Sequence, residues 1–487
     1  MLLSQALGLN QSQPLLDFVD IDLYHDFPLY IDPEGFKNPR DDFAAKCQRD
    51  IQDFFDAVLK AIVKGDLAAG QNLLEGLKEP NETHFGVSSD APAGRGLGRA
   101  QAAQVLDSLV NSPAAISGLL QDLTDAALFI PGIGADKISD MTTNIIRRHL
   151  IEYTQQQFEL LKIDIPTTLP TGLMWDTGNA RWITDELAAI PIVDGMRILL
   201  VPKRYVRWKG GLQQATSHYY NHFVTNFIRD DQLRTNGKLV EVVQLANNKT
   251  KRVVRKSVIK EEFPLTKPFL ARFSGDHPNE YRKFREAFNK SHPIGVRTLV
   301  EANGAVFHEH AFDADLVKTL KAIPSGRRTA TTYHHLVTGI LTHLFYPHLI
   351  SPALEEEIDQ GRKRIDITFL NSAEAGFFKD RKDDPAVLSR EVIVECKNYE
   401  ADIANPEIDQ LNGRFDHRRG RFGLIVCRTI ADQQRVTARC RDVFQAQRGI
   451  ILVLCDDDLI GLLETPSLNR DFALQNLMRA KLREVCR

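Results

Sequence analysis

Residues 41–64, DDFAAKCQRDIQDFFDAVLKAIVK, place Phe43, Cys47, Ile51, Phe54, Phe55, Val58 and Ile62 at helical spacing. Acids come early in this stretch and lysines late, as a helix dipole favours, so a helix is predicted. Further helical patterns cover about 100–122 and 137–163, while 80–99, rich in Gly, Pro, Ser and Asn, reads as a loop. From about 195 the texture changes. MRILLVPKRYV, GKLVEVVQL and KRVVRKSVI are rich in β-branched residues and read as strands, with a helix around 214–229. The run 261–300 mixes Pro, Gly and charge without a clear period, and PSGRR at 324–328 marks a boundary.

The last third has the clearest pattern. A helix at 329–346 is followed by RIDITFL (364–370), a loop, EVIVECK (391–397), a helix at about 405–416, FGLIVCR (422–428), a helix at about 432–447 and GIILVLCD (449–456). Short apolar strands alternating with helices predict an α/β layer structure with buried strands. The expected architecture is multidomain α/β. It has a mostly helical N-terminal region (1–195), a mixed α+β middle (196–325) and a C-terminal α/β domain with a central mixed sheet (326–487).

Composition adds limits. With 487 residues, 43% hydrophobic and 26% charged, the chain resembles an ordinary globular protein of two or three domains. No apolar run approaches the ~20 residues of a membrane-spanning helix. The N-terminus has no basic stretch and soon turns acidic (Asp17, Asp20, Asp22), so no secretory signal is expected. None of the six cysteines forms a C-x-x-C pair, and Cys396, Cys427 and Cys455 sit inside apolar runs, which fits a reducing cytoplasm.

The net charge of −3 conceals a polarity along the chain. Residues 1–200 carry 15 Lys/Arg against 28 Asp/Glu, whereas 201–290 carry 19 against 8. A basic middle points to a polyanionic partner, nucleic acid above all, or else to a solvated basic face. Lys203, Arg204, Arg207 and Lys209, with Trp208, His218, Tyr219 and Tyr220 nearby, offer phosphate contacts and stacking surfaces. Lys251 and Arg252, in a segment with alternating valines, offer a strand with one basic face. The bland alternative for both is a solvated strand edge.

Chemistry concentrates on two strands. Side chains alternate along a strand, so Ile393, Glu395 and Lys397 share one face and Val392, Val394 and Cys396 the other. Asp366 is flanked by Ile365 and Ile367. A carboxylate among apolar neighbours is costly unless it is paired or binds a metal. Two strand-borne carboxylates beside a lysine are what a divalent-metal phosphodiesterase needs: hard oxygen ligands for Mg²⁺ and a cation to act on the attacking water. The alternative is structural pairing of Asp366 with Arg364 or Lys363, and of Glu395 with Lys397.

The stretch GRKRIDITF…VIVECKNYEADIANPEIDQLNGRF…GRFGLIVCR resembles the PD-(D/E)xK nuclease superfamily, which includes restriction endonucleases, Mrr-type enzymes and Holliday-junction resolvases. The resemblance covers about 325–460. It implies a restriction-endonuclease-like domain in which Asp366 takes the aspartate position and Glu395-Cys396-Lys397 the (D/E)xK. Gln410 in PEIDQL takes the place of a glutamine found on the following helix in several branches, although a plain helix-surface residue fits equally. The usual proline before the aspartate is Ile365 here. His334 and His335 stand on the first helix, where many members carry a further acid; Glu355, Glu356 or Glu357, ahead of Asp366, could supply that ligand instead, with Glu357 as the candidate. The implied activity is cleavage of DNA phosphodiesters with Mg²⁺, or Mn²⁺ as a substitute, in restriction or defence against foreign DNA. Cutting both strands of a duplex needs two centres, hence a homodimer. The competing readings are an inert nuclease fold that binds nucleic acid or another partner, and a nuclease for RNA or single strands.

Other patterns point elsewhere less strongly. FIPGIGADKISDM (129–141) resembles a helix-hairpin-helix turn but carries only Lys137 against Asp136 and Asp140, which favours a structural turn. The AGRGLGR loop (93–99) lacks a P-loop pattern. His308-Glu309-His310, and His334 and His335 with His343, could bind metal, yet neither group has a second ligand set at convincing spacing.

Overall fold

A computed structural model describes the chain except residues 10, 38–40, 78–79, 86–98, 112–122, 185, 209–214, 245–249, 289–293, 303–305 and 355–365. At 99–101, 135–136, 287–288, 302 and 366 it describes the backbone alone. The loop predicted at 80–99, the glycines of AGRGLGR, Lys209 and Glu357 fall largely or wholly outside the described residues.

The predicted helix at 41–64 forms as α1, Asp42–Lys64. Asp41 caps it, its Oδ1 accepting from the Ala44 amide at 2.8 Å, and Gly65 ends it with φ 74°. Cys47, Ile51, Phe54, Phe55 and Val58 are buried, as the spacing requires. The helix expected over 137–163 is two: α2 (Ala135–Ile145) and α3 (Arg147–Leu160). Before the break, the side chains of Thr142 and Asn144 bond back to the carbonyls of Ile138 and Asp140, a pattern that bends helices.

The run MRILLVPKRYV pairs as a strand at its two ends, at Met196–Arg197 and again at Val206, which opens the strand Val206–Trp208 antiparallel to Leu29–Ile31. Ile198, Leu199, Leu200 and Val201 between them are buried outside any regular element. Their backbone is satisfied irregularly, for instance by Leu199 N–H to Glu82 O at 2.8 Å and Leu200 N–H to Thr154 Oγ1 at 2.9 Å. The predicted strands at 238–258 form a hairpin, Glu241–Gln244 with Thr250–Val253, after which the chain turns helical at Lys256–Glu262. The unclear run resolves into helices at Lys267–Asp276 and Pro278–Phe288. One apolar cluster joins Leu3 to Leu299 across residue 195, and a second joins Leu316 to Val485.

The second cluster surrounds a five-stranded mixed sheet. Its strands, in spatial and chain order, are β1 (Leu349–Leu354), β2 (Asp366–Asn371), β3 (Glu391–Lys397), β4 (Phe422–Cys427) and β5 (Ile450–Cys455). The pairs β1–β2 and β2–β3 are antiparallel, and β3–β4 and β4–β5 parallel. Around it lie α4 (Glu309–Ala322), α5 (Ala330–Phe345), α6 (Gly376–Asp383), α7 (Asn405–Asn412), α8 (Gln433–Gln445), α9 (Asp456–Glu464) and α10 (Ser467–Cys486). Buried Val, Ile and Leu fill β4 and β5, as strands covered on both faces require. The molecule is thus multidomain α/β with a mixed sheet in its last third.

The N-terminal region packs directly on this sheet. Helix α3 lies against β1, with Gln157 Nε2 donating to Pro352 O at 2.9 Å, so the edge strand is covered. Asp41 Oδ2, on the end of α1, accepts from Tyr205 Oη at 2.5 Å and from Ser372 Oγ, just after β2, at 3.0 Å.

Candidate active site at the end of the third strand

Strand β3 begins and ends where the alternation of the sequence placed it, Glu391–Lys397, and all but its first residue are buried. Ladder pairing sets Asp366 directly across from Glu395, and Ile367 across from Val394. Residues opposite each other in an antiparallel ladder share a face, with Cβ atoms about 5 Å apart. The two carboxylate positions, separated by the helical excursion α6, are therefore neighbours. On the other side of β3, Glu395 stands beside Ile425 and Lys397 beside Cys427.

Glu395 and Lys397 form an ion pair, Nζ to Oε1, with both residues 1% exposed. Taking two charges out of water costs several kcal/mol per ion, and apolar residues of like volume often do as well. A sealed pair at a strand end therefore marks a candidate site. Cys396, on the opposite face, is buried, and burial pushes its thiol up, leaving it the small hydrophobe expected. Thr368 lies two residues along β2 from Asp366, and its buried Oγ1 has no hydrogen-bond partner among the described residues.

Gln410 sits on α7, half-buried. Leu411 of the same helix lies against Gly423: a Cβ on that glycine would fall 3.1 Å from both Leu411 methyl groups. Gly423 pairs with Ile393, so α7 covers the face that carries Glu395. The glycine lets that helix approach the sheet closely.

The basic residues of the middle region divide. Lys203 is fully buried, its Nζ donating to Leu16 O at 2.7 Å, and burial lowers it to about 8. Arg204 is 4% exposed and donates to Pro347 O at 2.8 Å, Ser372 O at 3.1 Å and Glu374 Oε1 at 3.1 Å. Neither is offered to a polyanion, which corrects the expectation for both: each satisfies buried carbonyls instead. Arg207 is half-buried and pairs with Asp32 at 3.6 Å. Tyr219 and Tyr220 are core residues, bonded to Ser274 and Phe263 O. Lys251 and Arg252 are exposed on the hairpin.

Two further patterns have structural explanations. In the turn at 130–134, the Lys267 ammonium donates to the carbonyls of Ala127, Ile130 and Ile133 at 2.6–3.0 Å, which ties the turn to the helix Lys267–Asp276. Glu309, Asp313 and His343 converge, joining one residue from each histidine group with an acid not considered from the sequence. Arg470 already binds all three, with Nη1 3.2 Å from Glu309 and 3.1 Å from His343 Nε2, and Nη2 donating to Asp313. A divalent ion would have to displace that guanidinium.

Sequence reasoning missed Asn398, the residue after Lys397. It is 3% exposed and ties the end of β3 to the turn at 324–329. A polar residue closing an apolar strand was the available signal.

Residues 355–463 match a family model described as a restriction endonuclease. The last third is a restriction-endonuclease-like domain of PD-(D/E)xK type. Within this restriction-endonuclease-like domain the match runs from just after β1 to α9. Residues 8–213 match a second model, described as a domain of unknown function. No curated protein matches the chain, and no solved structure does. Among the described residues no helix is long and apolar enough to cross a membrane.

Proposed function

We propose that the protein is a Mg²⁺-dependent DNA endonuclease that acts in restriction or defence against foreign DNA. The observation that carries this reading is the ladder pairing of Asp366 with Glu395, with Lys397 beside them on the same face. The donor chemistry fits the metal: carboxylate oxygens from two adjacent strands suit a hard cation that keeps several waters. Asp366 and Glu395 would hold the ion, with Glu357 as a third ligand. Once bound, it would polarise the phosphate and lower the pKa of the attacking water.

Lys397 holds the site for that water, takes its proton or steadies charge on the phosphate, and Gln410 on α7 helps to orient the reactants. The exposed Lys251 and Arg252 add contacts to DNA phosphates, and duplex cutting uses two copies of the chain. The buried Glu395–Lys397 pair also suits a second reading, an inert fold that keeps the pair for structure and binds nucleic acid without cutting it.

The deciding experiment incubates the full chain with plasmid, linear duplex, single-stranded DNA and RNA, each with Mg²⁺, Mn²⁺ or chelator. Metal-dependent cutting of duplex that disappears in Lys397→Ala is the expected result. Binding without turnover under every metal would establish the inert fold, and turnover confined to RNA or single strands would replace the substrate.

A further inference from the structure

The chain fastens a basic turn to the residue that follows Lys397. Asn398 Nδ2 donates to Pro324 O at 3.2 Å, Gly326 O at 2.9 Å and Thr329 Oγ1 at 3.0 Å. In return the Gly326 amide donates to Asn398 O at 2.8 Å. Gly326 has φ 118°, a conformation that a side chain would strain, so this turn depends on its glycine. Ser325 Oγ adds a bond to Glu400 Oε1 at 3.0 Å, and Thr329 Oγ1 closes the turn onto Pro324 O at 2.5 Å. A buried amide whose donor group serves three acceptors in one turn fixes that turn firmly.

What the turn presents is Arg327 and Arg328. Both are exposed, and among the described residues neither side chain has a hydrogen bond or ion pair. Elsewhere in this chain arginines at comparable junctions are consumed internally: Arg204, Arg428 and Arg470 each bind buried carbonyls or carboxylates. The path from Lys397 to Arg327 is short: the 397–398 peptide, one hydrogen bond to Gly326 and the 326–327 peptide. Among the described residues the one acid bonded to the turn is Glu400, exposed and facing Ser325, which leaves the turn's two arginines in excess there. Arginine suits phosphate because its planar fork makes two parallel bonds to it.

We propose that Ser325–Arg328 is a phosphate clamp. Arg327 and Arg328 grip backbone phosphates of the nucleic-acid strand next to the bond being cut, and Asn398 is the positioning residue that keeps the clamp aligned with Lys397. The inference rests on the nuclease reading above.

The test uses the full chain and three proteins: wild type, the double variant Arg327→Gln/Arg328→Gln, and Asn398→Asp, which keeps the shape of the amide and removes its donor. Cleavage of linear duplex gives KM and kcat, and binding to the same duplex in chelator at several salt concentrations gives the slope of log K against log salt. The double variant should raise KM roughly tenfold, more than it lowers kcat, and reduce the slope by about two, one per phosphate. Asn398→Asp should also reduce the slope, whereas a merely structural role would lower only the melting temperature. An unchanged slope and KM in the double variant, with wild type still cutting, overturns the clamp and spares the nuclease. Wild type that binds duplex without cutting it removes the nuclease reading, and the slopes then decide the clamp alone. Absence of binding overturns both.

Discussion

Glu395 and Lys397, two residues apart on one strand, are paired with each other and sealed from solvent. Removing one member takes a strong ionic contact from a charge held in the interior, and breaking such a pair typically costs about 3–5 kcal/mol. Lys397→Met should therefore lower the unfolding free energy by that order, and the double change Glu395→Gln/Lys397→Met should recover most of it. Under the nuclease reading, both proteins lose at least about 100-fold in cleavage rate. Urea unfolding checks the first claim. A single variant as stable as wild type would refute the buried-pair account.

Arg204 should behave as a structural residue. Its guanidinium spans from Pro347 to Ser372 and Glu374, bridging the middle region and the sheet. Arg204→Ala is expected to cost about 2–4 kcal/mol, because buried carbonyls and a carboxylate lose a charged donor. The salt slope of DNA binding should not move. A reduced slope with an unaltered melting temperature would return Arg204 to the binding surface.

The contrast between Arg204 and Asp366 shows what the sequence could carry. Strand β3 was legible to the residue, since a run buried on both faces is apolar, and here charge interrupts it only at Glu395 and Lys397 inside the strand. The partner strand was legible too, but its alignment was not: 29 residues separate Asp366 from Glu395, and only the ladder sets them opposite each other. Lys203 and Arg204 were misplaced because composition reports charge and not burial, and a long cation can satisfy interior carbonyls. The helices at 267–276 and 278–288 escaped notice although each has a proline in its first turn, a known start signal, because the run 261–300 mixes Pro, Gly and charge without a clear period.

Lys251 and Arg252 are the remaining exposed members of the predicted binding set whose side chains the structure describes. Both lie on the hairpin strand Thr250–Val253, with the Arg252 guanidinium 3.3 Å from Asn236 Oδ1. The charge contributes little to folding there, so Lys251→Gln/Arg252→Gln should alter stability by less than about 0.5 kcal/mol. DNA affinity should fall for all sequences alike, with a salt slope reduced by about two. Discrimination between sequences changed by this pair, or no effect on affinity, would remove the hairpin from the interface.

Asp456 provides a test by pH. It starts α9 at the end of β5, accepts from Tyr333 Oη of α5 at 2.8 Å and faces Arg428 Nε at 3.3 Å. Arg428 in turn donates to Ile323 O at 2.7 Å, directly before the turn at 324–329, so this cluster anchors the base of that turn. Burial pushes the Asp456 carboxyl from its ordinary 3.8 up to about 6, against the opposing pull of Tyr333 and Arg428. The folded protein therefore holds this proton more tightly than the unfolded chain does. The resulting stabilisation is complete below pH 3.8 and is lost as pH rises through about 6. Asp456→Asn has nothing to titrate, so wild type should lose stability relative to the variant between pH 4 and 7, as read from paired melting curves. A gap that stays flat or moves the opposite way would mean that Arg428 outweighs burial, and the carboxylate would then be the form the fold prefers.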